Sequence, residues 1–206
     1  MEYNQTEYGN MKSPLSYQIS EYDCGQATLL NAIRFLFKRG EIPPIILKYI
    51  TQYTLDTIND EGQIGKHGTS PYAIEYLANL INSTSYIDLK AKVLNGADVS
   101  INNIDLLNCI CNYNGVAVLR VWSDCEHYIL CTGCKEKSVY IFDPYFLDDR
   151  AYDDDTEVVM INNKPFEYNR IVSKKRIEEN SKNDYALVKN DESKILLLYR
   201  ENKNEE

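Results

Sequence analysis

The spacing of apolar residues changes part-way along this chain of 206 residues. Up to about residue 112, apolar side chains recur every three or four positions, a period typical of amphipathic helices. Beyond that point they form short runs rich in β-branched and aromatic residues, which predict strands. We therefore expect an α+β fold, with a helical lobe over about residues 14–112 packed on an antiparallel β lobe over about residues 113–200.

Individual elements follow from the same patterns. Helices are predicted over residues 24–38, 44–58, 71–81 and 104–111, and strands over residues 116–122, 128–132, 139–142, 157–161 and 195–199. Because a chain of this length lies within the range of one domain, we interpret residues 1–206 as a single domain. Residues 201–206 are predicted to form a disordered tail, and the charged segment 173–183 is either a helix or a surface loop.

Charge and the amino terminus restrict the partners and the location that we expect. The formal net charge of −9 at pH 7 opposes binding to nucleic acid and to anionic membranes. No apolar run has the length of a membrane span, and the first residues lack the basic and apolar segments of a secretory signal. We therefore expect a cytoplasmic protein that binds no nucleic acid and does not insert into membranes. The sequence does not indicate the oligomeric state.

Cys24 stands at the start of the first predicted helix. A thiol in the first turn lies close to unpaired backbone N–H groups and to the positive end of the helix dipole, and both favour the thiolate. Gln18 lies six residues earlier, so its side-chain amide and the Cys24 backbone N–H are candidate donors to one oxyanion. This arrangement predicts acyl-transfer chemistry, and a small buried core thiol is the alternative interpretation.

His127 and Asp143 are the candidate partners of this thiol. His127 is one of two histidines and begins a predicted strand, whereas Asp143 ends the next strand. The short link through Gly133 predicts a hairpin, whose antiparallel pairing would bring the two side chains together. A carboxylate fixes the tautomer of an imidazole and stabilises the imidazolium that partners a thiolate. His67, in a loop, is an alternative base, although a loop is also the usual place of a surface histidine.

The six cysteines permit a rival interpretation of His127. A zinc site there would need several of the nearby thiols, which are Cys109, Cys111, Cys125, Cys131 and Cys134. Their spacing opposes such a site, because only one Cys-x2-Cys pair is present and residues two apart on a helix point in different directions. We therefore predict no metal and no cofactor. The lack of an export signal predicts free thiols rather than disulfides.

Three short motifs occur in a set order: Gln-x4-Asp-Cys-Gly-x-Ala over residues 18–27, His-Tyr at residues 127–128 and Asp-Pro at residues 143–144. In this order they resemble the double-glycine leader peptidases that process bacteriocins, a branch of the papain-like cysteine peptidases. The resemblance covers about residues 16–145. It implies a papain-like fold in which Cys24 is the nucleophile, His127 the general base and later acid, and Asp143 its orienting partner. Gln18 is implied as the oxyanion-hole donor.

Together these residues predict a cysteine peptidase that cleaves a peptide bond through a thioester acyl-enzyme. The resemblance implies peptide or protein substrates and removal of a leader peptide after small residues. Two alternatives stay open: a related acyltransferase or amidase with the same residues, and a catalytically silent peptide-binding domain of the same fold. The presence of all four residues disfavours the second. The best-known family members are fused to membrane-spanning and ATP-binding segments, whereas we expect a free-standing enzyme whose residues after about 146 match no family motif.

Overall fold

The computed structural model describes residues 7–112 and 114–200, so the predicted tail at 201–206 lies outside the described residues. The helices are α1 (Cys24–Leu36), α2 (Pro44–Tyr53), α3 (Pro71–Asn82), α4 (Ile104–Leu107) and α5 (Lys174–Glu178). The strands are β1 (Leu89–Asn95), β2 (Val116–Ser123), β3 (Cys125–Lys135), β4 (Ser138–Phe142), β5 (Val158–Met160), β6 (Arg170–Ser173) and β7 (Lys194–Arg200). No helix within these two ranges is both long enough and apolar enough to cross a membrane.

All seven strands belong to one antiparallel sheet in the order β1-β7-β2-β3-β4-β6-β5. The prediction of an α+β fold, with amino-terminal helices packed on an antiparallel sheet, is confirmed. Two strands were not predicted. β1 lies inside the range assigned to the helical lobe, and it is an edge strand with two lysines, a composition that weakens the strand pattern. β6 has only four residues and begins with a buried arginine.

Side chains of the central strands alternate between two buried faces of the sheet. On one face Val118 and Leu130 pack in a cluster with Ile33 of α1 and other residues of α1–α3. On the other face Ile129 packs in a second cluster that includes Ile177 of α5. Each such side chain stabilises the fold by about 1.5–3 kcal/mol relative to its exposed state. β3 is therefore packed on both of its faces, and this packing fixes the positions of the side chains at its start.

Two of the predicted helices end earlier than their apolar pattern does. α2 stops at Tyr53, because Leu55 has a φ of 57° and turns the chain into the loop before α3. α4 stops at Leu107 and continues as a π-helical turn over Asn108–Asn112. This turn places Cys109 in the core beneath the sheet and leaves Cys111 exposed.

Cys111 and Cys134 form a disulfide, with their Cα atoms 5.8 Å apart. The prediction of free thiols is therefore wrong for this pair. The two residues meet because the π-helical turn packs against the end of β3, a contact between distant segments that sequence spacing does not reveal. Cys109 and Cys131 are free and buried, and burial raises the pKa of each thiol to about 12. Both therefore stay protonated and unreactive near neutral pH.

Candidate active site

Cys24 is the first residue of α1 and is 8% exposed. The preceding Asp23 accepts a backbone hydrogen bond from Ala27 through its carbonyl oxygen, but its carboxylate does not cap the helix. That carboxylate instead accepts the backbone N–H groups of Ile19 (3.0 Å) and Ser20 (2.7 Å) and the Ser20 hydroxyl. Burial raises the pKa of Asp23, but these donors outweigh it and hold the pKa below its usual value. The loop before Cys24 is thereby folded onto the start of the helix.

Gly25 lets α1 approach the loop before α3 very closely. A Cβ atom at this position would lie 2.7 Å from the Cβ and Oγ1 atoms of Thr69 and 3.2 Å from the Tyr128 ring. Any larger residue would therefore push the first turn of α1 away from the sheet. Gly25, Thr69 and Tyr128 therefore form a closely packed wall beside Cys24.

His127, near the start of β3, donates from Nε2 to the Oδ1 atom of Asp143, which directly follows β4, over 2.8 Å. Both side chains are almost completely buried. The antiparallel pairing of β3 with β4, in which Leu130 lies opposite Phe142, brings the start of one strand to the end of the other. The predicted hairpin therefore exists and places the imidazole against the carboxylate.

The electrostatics favour the protonated form of His127. Burial by itself lowers the pKa of His127, but the charge and hydrogen bond of the Asp143 carboxylate, together with the Cys24 side chain, outweigh it and raise this pKa to about 10. Because Nε2 is committed to Asp143, Nδ1 is the ring nitrogen left for the Cys24 sulfur. A protonated imidazole beside the sulfur stabilises a thiolate nucleophile.

Asp143 is held by more groups than the sequence indicated. Its Oδ1 atom also accepts the Tyr145 N–H (2.8 Å), and its Oδ2 atom accepts the Tyr185 hydroxyl (2.8 Å). Asn169 donates to the Asp143 carbonyl oxygen and accepts the Asp143 N–H, each over 2.8 Å. Burial raises the pKa of Asp143, but the charge and hydrogen bond of His127, the Tyr145 N–H and the Arg170 charge lower it below its usual value. The carboxylate therefore stays ionised inside the protein.

Gln18 is tied to the same region through its backbone. Its N–H donates to the Pro144 carbonyl oxygen (2.9 Å), so the loop before Cys24 is bonded directly to the loop after Asp143. The side-chain Nε2 donates to the Ser20 carbonyl oxygen (2.7 Å), and the buried Oε1 has no hydrogen-bond partner. Because an amide nitrogen carries two hydrogens, the bond to Ser20 uses only one of the two Gln18 side-chain N–H groups.

Cys24 lines a cleft of about 670 Å³ between the helices and the sheet. One side is formed by residues 68–72, and the sheet contributes Arg120, Trp122 and Tyr128. His67 also lines this cleft but is exposed, whereas His127 is the histidine that bonds Asp143. The alternative of His67 as the base therefore lacks the carboxylate partner that His127 has.

Three of the ligands proposed for a zinc site have other partners. Cys111 and Cys134 are joined in the disulfide, and His127 is bonded to Asp143. Across residues 7–112 and 114–200 there is no group of three or more histidine, cysteine, aspartate and glutamate side chains that could hold a metal ion.

No protein-family model matches the chain, and no curated protein sequence matches it. Among solved structures, it is similar to a double-glycine motif protease from an AMS/PCAT transporter, in complex with the leader peptide, with a TM-score of 0.47 and 13% identity over 95% of this chain and 96% of that one. It is also similar to the peptidase domain of Streptococcus ComA, a bi-functional ABC transporter involved in a quorum-sensing pathway, with a TM-score of 0.42 and 16% identity over 91% and 98%.

Sequence reasoning missed Asn169 and Tyr185 around the site. Both lie beyond residue 146, where no motif was recognised, and neither stands in a pattern that marks it as functional. Their neighbour Arg170 did carry a signal, since an arginine that begins an otherwise apolar strand needs a buried partner.

Proposed function

We propose that this protein is a cysteine peptidase in which Cys24 is the nucleophile and His127 and Asp143 complete a catalytic triad. The observation that carries the proposal is the buried 2.8 Å hydrogen bond from His127 to Asp143, with Cys24, the first residue of α1, among the groups that raise the pKa of the same imidazole. A thiolate at a helix start beside an imidazolium is the arrangement that acyl transfer from a peptide requires.

In the first half of the reaction, the Cys24 thiolate attacks the carbonyl carbon of a peptide bound in the cleft. A carbon–sulfur bond forms, and the carbonyl oxygen becomes an oxyanion. His127 then gives its proton to the leaving amine, the carbon–nitrogen bond breaks, and a thioester remains on Cys24. Asp143 keeps the ring oriented and supports its positive charge before the proton is transferred.

Two N–H groups are suited to the oxyanion. The Cys24 backbone N–H lies in the first turn of α1, where no helical carbonyl oxygen accepts it, and Gln18 has one side-chain N–H left. In the second half of the reaction, His127 takes a proton from water, the hydroxide attacks the thioester, and the acid product leaves. Gln18→Ala should lower kcat about a hundredfold, as loss of one oxyanion donor typically does.

The substrate that we propose has small residues before the scissile bond. Cys24 lies beside the tight contact of Gly25 with Thr69 and Tyr128, so a bulky side chain next to the reacting carbonyl would collide with this wall. A leader peptide that ends in Gly-Gly or Gly-Ala meets the requirement. Replacement of its last glycine by valine should lower kcat/KM at least about tenfold, or about 1.4 kcal/mol.

Mass spectrometry of a peptide library incubated with the wild-type protein and with Cys24→Ala tests this function. Cleavage after small residues by the wild type, and none by Cys24→Ala, is the expected result. A product that gains the mass of an added amine in place of water would identify acyl transfer instead of hydrolysis. Preference for bulky residues before the cut would contradict the double-glycine specificity, and equal cleavage by Cys24→Ala would contradict the nucleophile.

A further inference from the structure

We infer that Tyr185, oriented by Arg170, is a positioning residue that holds the Asp143 carboxylate toward His127. The inference rests on the proposed function, because it concerns the same triad. It assigns a role to part of the chain beyond residue 146. Tyr185 and Arg170 are 1% and 2% exposed, so neither is available to bind a partner at the surface.

The hydrogen bonds leave the Tyr185 hydroxyl one orientation. The Arg170 Nε donates to the phenol oxygen (3.2 Å), and a hydroxyl carries a single hydrogen, which is donated to Asp143 Oδ2 (2.8 Å). Burial and the neighbouring Asp143 charge raise the pKa of Tyr185 far above its usual value, so the phenol remains a donor at every pH of interest. Asp143 therefore has one oxygen bonded to Tyr185 and the other to His127.

Arg170 is itself fixed on the segment that clamps Asp143. Its NH1 donates to the Asn169 carbonyl oxygen (2.9 Å), and its NH2 donates to the Tyr145 carbonyl oxygen (3.5 Å). The Asn169 side chain holds the backbone of Asp143, so residues 169 and 170 fix its backbone and its carboxylate together. The guanidinium also places a positive charge near the buried Asp143 carboxylate and helps to lower its pKa.

The backbone at Tyr185 is also unusual. Its φ is 70°, in the left-handed region that non-glycine residues seldom occupy, at a cost of order 1 kcal/mol or more. Its N–H donates to the Trp122 carbonyl oxygen (2.8 Å), which ties this turn to β2. The strained residue is thus held in place by the sheet, with its hydroxyl against Asp143.

Tyr185→Phe is the variant that tests the inference, because it removes only the hydroxyl and preserves the buried ring. We expect kcat to fall about tenfold with little change in KM, since a hydrogen bond to a charged group is lost. The alkylation rate of Cys24 near neutral pH should fall in parallel, because a poorly oriented Asp143 supports the imidazolium–thiolate pair less. Tyr168→Phe is the matched control: its ring stacks on Tyr140, and we expect no change in either rate.

A double-mutant cycle separates positioning from a general loss of stability. If Tyr185 acts through Asp143, Tyr185→Phe should have no further effect on kcat or on alkylation in an Asp143→Ala background. The same fall in both backgrounds, or no fall in the wild-type background, would overturn the inference. If Tyr185→Phe does not fold, Arg170→Lys can replace it in the same double-mutant cycle. Lysine keeps the positive charge but loses the hydrogen bond that the Arg170 guanidinium donates to the Tyr185 oxygen.

Alkylation needs no substrate, so this experiment and the peptide library can fail independently. If the effects of Tyr185→Phe and Asp143→Ala on Cys24 alkylation are independent in a protein that cleaves peptides, only the positioning role is contradicted. If Tyr185→Phe slows alkylation only when Asp143 is present, but the protein cleaves no peptide, only the proposed function is contradicted.

Discussion

The Thr28 hydroxyl donates a 2.9 Å hydrogen bond to the carbonyl oxygen of Tyr128, the residue after His127. Thr28 lies one helical turn after Cys24, so this bond joins the helix that begins at Cys24 directly to the strand that carries His127. Both residues are buried, which makes the bond stronger than it would be in water. The hydrogen bond between Thr28 and Tyr128 thus helps to set the distance between Cys24 and His127, although neither of those two side chains takes part in it.

Thr28→Val should loosen this connection with almost no change in side-chain volume. We expect the free energy of unfolding to fall by about 1–3 kcal/mol, because a buried hydrogen bond is lost. Cys24 alkylation should also slow. Thr132→Val is the control, since the Thr132 hydroxyl donates to the Tyr140 carbonyl oxygen (3.4 Å) further along β3. Equal alkylation rates in the two variants, measured on folded protein, would show that the Thr28 bond does not set the geometry of the site.

The raised pKa of His127 predicts a specific pH dependence of stability. A group whose pKa is higher in the folded state stabilises the fold fully below its unfolded pKa, and this contribution is lost as pH rises through the folded value. For His127 the window runs from 6.5 to about 10. The difference in unfolding free energy between the wild type and His127→Gln should therefore shrink across that window in denaturant titrations. A difference that stays constant from pH 6.5 to 10 would mean that His127 is not stabilised in its charged form.

Much of the fold, and the pairing of His127 with Asp143, could be predicted because the signals are local. The period of the apolar residues marks α1 and starts it at Cys24, and two adjacent apolar runs mark the hairpin that joins His127 to Asp143, although Gly133 lies within β3 and the turn follows Lys135. The supporting residues were not predictable. Tyr185 meets Asp143 across 42 positions through a turn with positive φ, and no periodic pattern encodes such a contact.

Contacts between distant segments also explain two of the errors about structure outside the site. Cys111 pairs with Cys134 because a π-helical turn, which apolar spacing does not distinguish from an α-helix, packs against the end of β3. β1 was missed because an edge strand with alternating lysines has only one partner, β7, and its sequence alone gives a weak strand pattern.

Tyr128 itself gives an unusual stability prediction. Its hydroxyl is buried in the wall of the cleft and has no hydrogen-bond partner. Because an unpaired buried hydroxyl destabilises the folded state, Tyr128→Phe should leave the free energy of unfolding unchanged or raise it by about 1 kcal/mol. Chemical denaturation measures this, with the exposed Tyr86→Phe as the control. A loss of more than about 1 kcal/mol would show that the hydroxyl has a partner, such as a buried water.

Competition between Cys24 and Cys125 for iodoacetamide tests the central claim most directly. Both thiols are free and line the same cleft, but Cys125 is exposed and Cys24 is 8% exposed, so accessibility alone favours Cys125. Under limiting reagent near neutral pH, peptide mapping should find Cys24 alkylated first, because its imidazolium partner keeps it as a thiolate. His127→Ala should reverse the order. Alkylation of Cys125 before Cys24 in the wild-type protein would contradict the claim that Cys24 is an activated nucleophile.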